Sequence, residues 1–296
     1  MNQFRKLALQ RIANAAGTTA SSTIASSRSY VNPYILKNAG ILTNLVEKYF
    51  NISSFREKFL TTPAGPAREQ LVYNEIIKRK PINLVNVSVP GPKGTIITYQ
   101  VMPDYITIDG IRVPMTYKTA QKVADFFGME LPTSKMSKQI WQAADVKIRP
   151  TPLSAGGQIG KKYYSSTEVV EHKISDSDSS IAYSDMIRDE ILKHKGPVNL
   201  VAGHMKDIIA PEGNNKGDRL GLFGWFGADG TPLEPSITTN HGADHTEYGA
   251  GVRLISGTLT ITMPDGSKTV RKINDVLDDP AYYNTISNSK GYKRYN

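Results

Sequence analysis

Apolar residues change their spacing several times along this chain, and each change predicts a different element. Between Asn32 and Lys80 they recur three and four residues apart, as Ile41, Leu42, Leu45, Val46 and Phe50, and again from Glu69 to Ile77 after the Pro63 to Pro66 break. That period predicts helices. From Asn83 the pattern shortens to three strands, 83–89, 95–102 and 104–108, separated by Pro/Gly and Asp-Gly turns. Helical spacing returns over 116–127 (Ala120, Val123, Ala124, Phe127), with Gly128 placed to end the helix. A second helix is predicted from the N-cap candidate Thr133, burying Met136, Ile140, Trp141 and Ala144.

Residues 146–182 have no clear period and read as a long surface connection. A charged helix is expected from Ser184 to Lys195, closed by Gly196-Pro197. Strands follow at 198–202 and 220–225, then a hairpin (258–262 with 268–273) around Pro-Asp-Gly, and a short helix after Asp275. The expected class is α+β, one mixed domain whose antiparallel strands carry a site at their ends and whose helices cover one face. The expected organisation is an arm over 1–30, a helical lead-in over 31–80 and the domain over 81–296.

Composition changes that picture in three places. The 296 residues include no cysteine, which excludes disulfides, thiolate metal sites and a cysteine nucleophile. No apolar run is long enough for a transmembrane helix. The net charge is +9, but residues 1–46 hold no acid beside Arg5, Lys6, Arg11, Arg28 and Lys37, so part of the basic bias belongs to the arm. Elsewhere lysines alternate with acids and no basic stripe carries interleaved aromatics, which argues against a nucleic-acid partner. The arm fits either a helix that docks onto protein partners in a larger assembly or an organelle transit peptide, and it lacks a secretory core.

Candidate chemistry gathers in three stretches: Gly203 to Ile208, Gly224 to Phe226, and His241 to Ile255, which packs two of the five histidines, two carboxylates, Tyr248 and Arg253 into fifteen residues. If Val198 begins a strand that continues through Asp207, His204 and Lys206 share a face and Asp207 takes the other. The neighbouring ammonium would keep His204 neutral, as a general base or hydrogen-bond donor. His241 and His245 have the separation of two zinc ligands, with Asp244 the nearest third; Gly242 and Gly249 argue against a helix there, so the metal site would be built on a loop. Arg253 could grip a carboxylate or phosphate with its fork, or pair with Glu247 or Asp244. The same stretch also fits a hairpin corner whose polar residues face water.

The runs Leu222 to Pro235, Asn240-His241 and Tyr248 to Ile255 resemble a family of uncharacterised secreted bacterial proteins with the pattern G-W-H, P-D-G-x-P-I-x-P-L, G-H, D-Y-S-H-G-V-R-L-V. Asp104-Tyr105, Arg112 to Met115, Thr119 to Gln121, Leu131 to Met136 and Ala202 to Asp207 resemble it in order and spacing, so the likeness spans about residues 65–285. The S-H-G-V-R-L run is similar in turn to the S-H-G-C-x-R-L signature of L,D-transpeptidases. Here Val252 stands at the nucleophile position, Ala250 at the histidine position, and Phe226 replaces the histidine of G-W-H.

The resemblance implies an envelope-enzyme fold reused as a structural or binding subunit, in a virion or bacterial envelope. A hydrolase of cell-wall polymer is the alternative, with His204 or His241 as base, Tyr248 and Arg253 stabilising negative charge, and Lys135, Lys206, Asp207 and Trp225 binding substrate. An inactive organelle subunit is a third reading. No cofactor is expected beyond zinc at His241, His245 and Asp244.

Overall fold

In the computed structural model the described residues are 54–151, 153–154, 158–159, 176–212, 219–233 and 237–290. The arm, the helix expected over Ile41 to Phe50, and parts of the 146–182 and 211–218 connections lie outside them. No helix among the described residues is long and apolar enough to cross a membrane.

The described part of the compact unit begins at Ser54, upstream of the boundary expected at residue 81. Helices α1 (Ser54–Thr61) and α2 (Pro66–Arg79) bury Phe55, Phe59, Val72 and Ile76 in the same core as the later elements, so this half of the lead-in belongs to the domain. Pro66 starts α2, where a missing N–H costs nothing, and Lys80 closes it in the left-handed conformation. The arginines flank the aromatic pair: Arg68 lies 5.1 Å over Phe59 and Arg79 5.9 Å over Phe55.

The main sheet is antiparallel, in the order β1 (Val85–Pro90), β2 (Ile96–Val101), β13 (Ile255–Thr262), β14 (Lys268–Lys272), with β5 (Met129–Glu130) paired to the start of β13. Residues 102–254 separate its two central strands, so the sheet fixes where the middle of the molecule must return. Val87, Ile97, Tyr99, Val101, Leu259 and Ile261 form one face. On it lie Met136 and Ile140 of α4 (Ser134–Ala143) and Ile273, Val276 and Leu277 of α6 (Ile273–Asp278). Burying each such side chain is worth about 1.5–3 kcal/mol, so this face anchors the fold. Two caps are those expected: Gly128 ends α3 (Tyr117–Phe127), and Thr133 accepts from the Met136 N–H at the head of α4; Thr116, accepting from the Thr119 N–H, caps the head of α3 as well.

Three expectations are corrected. The charged helix runs over Asp176–Leu192 (α5), starting eight residues before Ser184. The Asp/Ser run reads as a loop locally, but Ser180 and Ser184 are buried, and Ser184 Oγ bonds the Ser180 carbonyl while accepting from the Arg112 N–H. Residues 104–108 supply only the two-residue strand β3 (Thr107–Ile108), paired to β4 (Ile111–Arg112). Finally, 198–207 is not one strand: β9 (Val201–Ala202) pairs in parallel with β6 (Val146–Lys147), the chain turns at Gly203, and β10 (Lys206–Ile208) starts a separate small sheet. Among the described residues between β6 and α5, β7 (Leu153–Ser154) pairs antiparallel with β8 (Gln158–Ile159). The small sheet has the order β11 (Leu222–Gly224), β10, β12 (Ala250–Gly251), with β12 parallel to β10. All three stretches that collect candidate chemistry meet there.

Candidate functional site

The turn between β9 and β10 carries His204 into the interior. The Gly203 φ of 100° permits the bend, and the His204 side chain is wholly buried. Its Nε2 lies 3.1 Å from Asp104 Oδ1, and the other Asp104 oxygen accepts from Arg112 at 2.5 Å. The His204 carbonyl takes two donors, the Tyr183 hydroxyl and Trp225 Nε1, the latter at 3.1 Å. Trp225 reaches that carbonyl because Gly224 and Trp225 both take positive φ, 127° and 55°. A left-handed tryptophan costs about 1–3 kcal/mol and persists only where its surroundings dictate it. The close approach of Gly249 is part of that fit, since a Cβ there would stand 2.6 Å from the indole.

Beside His204 sits a second buried ion pair. Arg253 has no solvent exposure; it donates to the carbonyls of Met102 (2.9 Å) and Val201 (2.7 Å), and its Nε lies 3.7 Å from Asp207 Oδ1. The guanidinium stacks 4.4 Å over the Tyr105 ring, which meets the His204 imidazole edge-on at 5.1 Å. These residues form one hub that ties β2, β9, β10 and the segment after β12 together.

The electrostatics follow from burial. Desolvation pushes the His204 imidazole down to about 4, helped by the positive charge of Arg112 and Arg253 and opposed by Asp104. Burial alone would raise the Asp104 carboxyl, but Arg112 and His204 outweigh it and hold the group well below the usual carboxylate range. The Asp207 carboxyl is raised, first by burial, with Arg253 opposing. The hub near neutral pH is therefore a neutral histidine between an ionised aspartate and two arginines. His204 is neutral as expected, but burial is the main cause, and Lys206 points elsewhere. Where the hub approaches the surface, Asp104, Tyr105 and Arg112 line a cleft of about 400 Å³ with Arg188 and Leu192.

Lys206 belongs to a second cluster. Its ammonium lies 4.7 Å over the Trp225 ring and 2.5 Å from Glu247 Oε1. Glu247 Oε2 faces His245 Nε2 at 3.9 Å, and the His245 imidazole stacks on that of His241 with centroids 3.9 Å apart and planes within 10°. One ligand atom from each of His241, His245 and Glu247 falls within 4.8 Å of the others, so these three residues could hold a metal ion. No helix is involved. The His245 N–H bonds the Gly242 carbonyl at 3.0 Å in a tight turn, Ala243 is buried beneath it, and the His241 carbonyl accepts from the Leu220 N–H at 3.1 Å. Glu247 is fixed from the other side, because β12 pairs with β10 and the Lys206 N–H bonds the Gly249 carbonyl at 2.8 Å.

The structure thus sorts the sequence candidates into two groups. His204, Asp207 and Arg253 share the hub; Lys206, His241 and His245 share the surface cluster; Trp225 spans both. Tyr248 packs edge-on against Tyr183 at 5.4 Å. Three assignments change. Asp244 is no ligand partner of the histidines: its carboxylate is exposed and pairs with Lys118 at 2.8 Å. Arg253 pairs with Asp207 rather than with Glu247, Asp244 or an outside anion, because its fork already holds two backbone carbonyls. Lys135 donates to the Asn284 carbonyl, linking α4 to the C-terminal segment. Sequence reasoning passed over Glu247 as a metal ligand, although His245-Thr-Glu247 in extended chain puts both side chains on one face. It named Asp104 and Arg112 only within the family likeness.

Comparison with protein-family models, with curated proteins and with solved structures returns no match for this chain.

Proposed function

We propose that this chain is a structural or binding subunit of a larger assembly, in a virion or a bacterial envelope, built on an envelope-enzyme-like fold whose polar groups have turned to internal support. The observation that carries this reading is Arg253. A residue that would stabilise developing negative charge in an enzyme is here wholly buried, bound to two carbonyls and facing Asp207. His204, the candidate base nearest to it, is equally buried and is held by Asp104. Val252 and Ala250, at the positions of the nucleophile and histidine in the transpeptidase-like signature, supply no reactive atom. The acid-free basic arm supplies the contact with protein partners.

The test is to incubate the full chain with purified peptidoglycan and measure soluble fragments. The expected result is no release above the blank, and residues 1–30 still attached in protein isolated from its source. Release that disappears in His241→Ala or His204→Gln, with the fold retained, overturns the proposal in favour of a hydrolase with a histidine base. An N-terminus beginning near residue 30 overturns it in favour of an imported organelle subunit.

A further inference from the structure

The cluster at His241, His245 and Glu247 has a shape that the assembly reading does not use. Two imidazoles and a carboxylate converge at a half-exposed surface, each held by its own backbone contacts. We propose that these three side chains form a binding site for a zinc-class divalent ion, with the fourth coordination position open to solvent.

The donor set is the first argument. Two imidazole nitrogens and one carboxylate oxygen suit a borderline ion such as Zn²⁺, and three protein ligands with one open position is the arrangement of an accessible rather than a closed site. Geometry is the second. Ligand atoms about 2.0–2.1 Å from a tetrahedral ion lie about 3.4 Å from one another. His245 Nε2 and Glu247 Oε2 are already at 3.9 Å, and the largest separation in the set is no more than 4.8 Å. Closing it requires the two stacked rings to tilt apart so that both nitrogens face one point, a side-chain movement that the half-exposed position of His241 and His245 permits.

The third argument is the support around the ligands. Lys206 neutralises Glu247 Oε1, leaving Oε2 toward His245, and Lys206 is itself held against Trp225. Second-layer contacts of this kind orient a ligating carboxylate and typically alter affinity about 10–100-fold. His245 also lines a cleft of about 620 Å³ with Glu69, Tyr73, Lys118 and Lys122, so one ligand of the set borders open space.

The experiment titrates the full chain, stripped with a chelator, with Zn²⁺ by calorimetry, and with Co²⁺ by visible absorption. One ion per chain is expected, with a Co²⁺ spectrum of low-coordinate nitrogen and oxygen ligation. Binding should weaken at least tenfold in each of His241→Ala, His245→Ala and Glu247→Gln, while Asp244→Asn binds as the unaltered chain does. Near-UV circular dichroism separates loss of the site from loss of the fold, and the Co²⁺ spectrum of the unaltered chain stands whether or not a variant folds. Absence of stoichiometric binding overturns the proposal, as does binding that survives all three substitutions.

Discussion

The two polar clusters meet at Trp225 and combine the same kinds of group, an imidazole, a carboxylate and a cation, yet burial has driven them to opposite uses. In the hub, Arg253 and His204 are fully buried, and every strong donor of Arg253 except Nε has a backbone acceptor. In the outer cluster, His241 and His245 meet each other and Glu247 at the surface, with a carboxylate oxygen turned toward an imidazole nitrogen. A buried charge must be satisfied from within or neutralised, so groups in the hub become supports. Groups at the surface keep coordination positions to offer. The residue types that suggest catalysis in a sequence are therefore ambiguous until their burial is known.

The largest effect is expected at Arg253. Arg253→Met keeps much of the volume but removes the partner of Asp207 and orphans the Met102 and Val201 carbonyls. Removing one member of a buried pair typically costs about 3–5 kcal/mol. Urea denaturation should show a loss of that size. A loss below about 1 kcal/mol would mean that Arg253 is not a structural support, and the contrast between the clusters would fall.

At His204 the same burial is read through pH. Its imidazole is held near 4 in the folded chain against 6.5 when exposed, so between those values the unfolded chain binds more protons than the folded one. Stability is then fully present above pH 6.5 and falls as pH drops toward 4. Each tenfold change in proton affinity is worth about 1.4 kcal/mol, so this residue contributes about 3 kcal/mol. Denaturation of the unaltered chain and of His204→Gln, compared from about pH 7.5 to about pH 4, should show that slope in the first and its reduction in the second. Equal slopes would mean that His204 is solvated, and so available as a base.

How far this was legible beforehand depended on range. Helices α3 and α4, the β13/β14 hairpin and the first strands could be read because period, caps and turn residues agree locally. The start of α5 could not, because Ser180 and Ser184 are buried, Ser184 against Arg112 72 residues away. The His241/His245 pairing was visible from spacing, and so was the absence of a helix there. What the sequence could not supply was the third partner. Asp244 is nearest in the chain, but the tight turn at Gly242–His245 sends it outward to Lys118, while the β12/β10 pairing brings Glu247 in. Asp104 pairs with His204 across a hundred residues, and nothing local announces such a contact.

The smallest effect is expected at Asp244, and it tests which carboxylate the turn presents. Its ion pair with Lys118 joins side chains that are 78% and 45% exposed. Water and salt screen such a pair, whose worth is about 0–1 kcal/mol. Asp244→Asn should therefore leave the denaturation midpoint nearly unchanged, and Glu247→Gln should lower it more, because Lys206 is mostly buried and would lose its counter-charge. If Asp244→Asn proved the more damaging of the two, the turn would have to present Asp244 inward, and the division between an outward Asp244 and an inward Glu247 would be reversed.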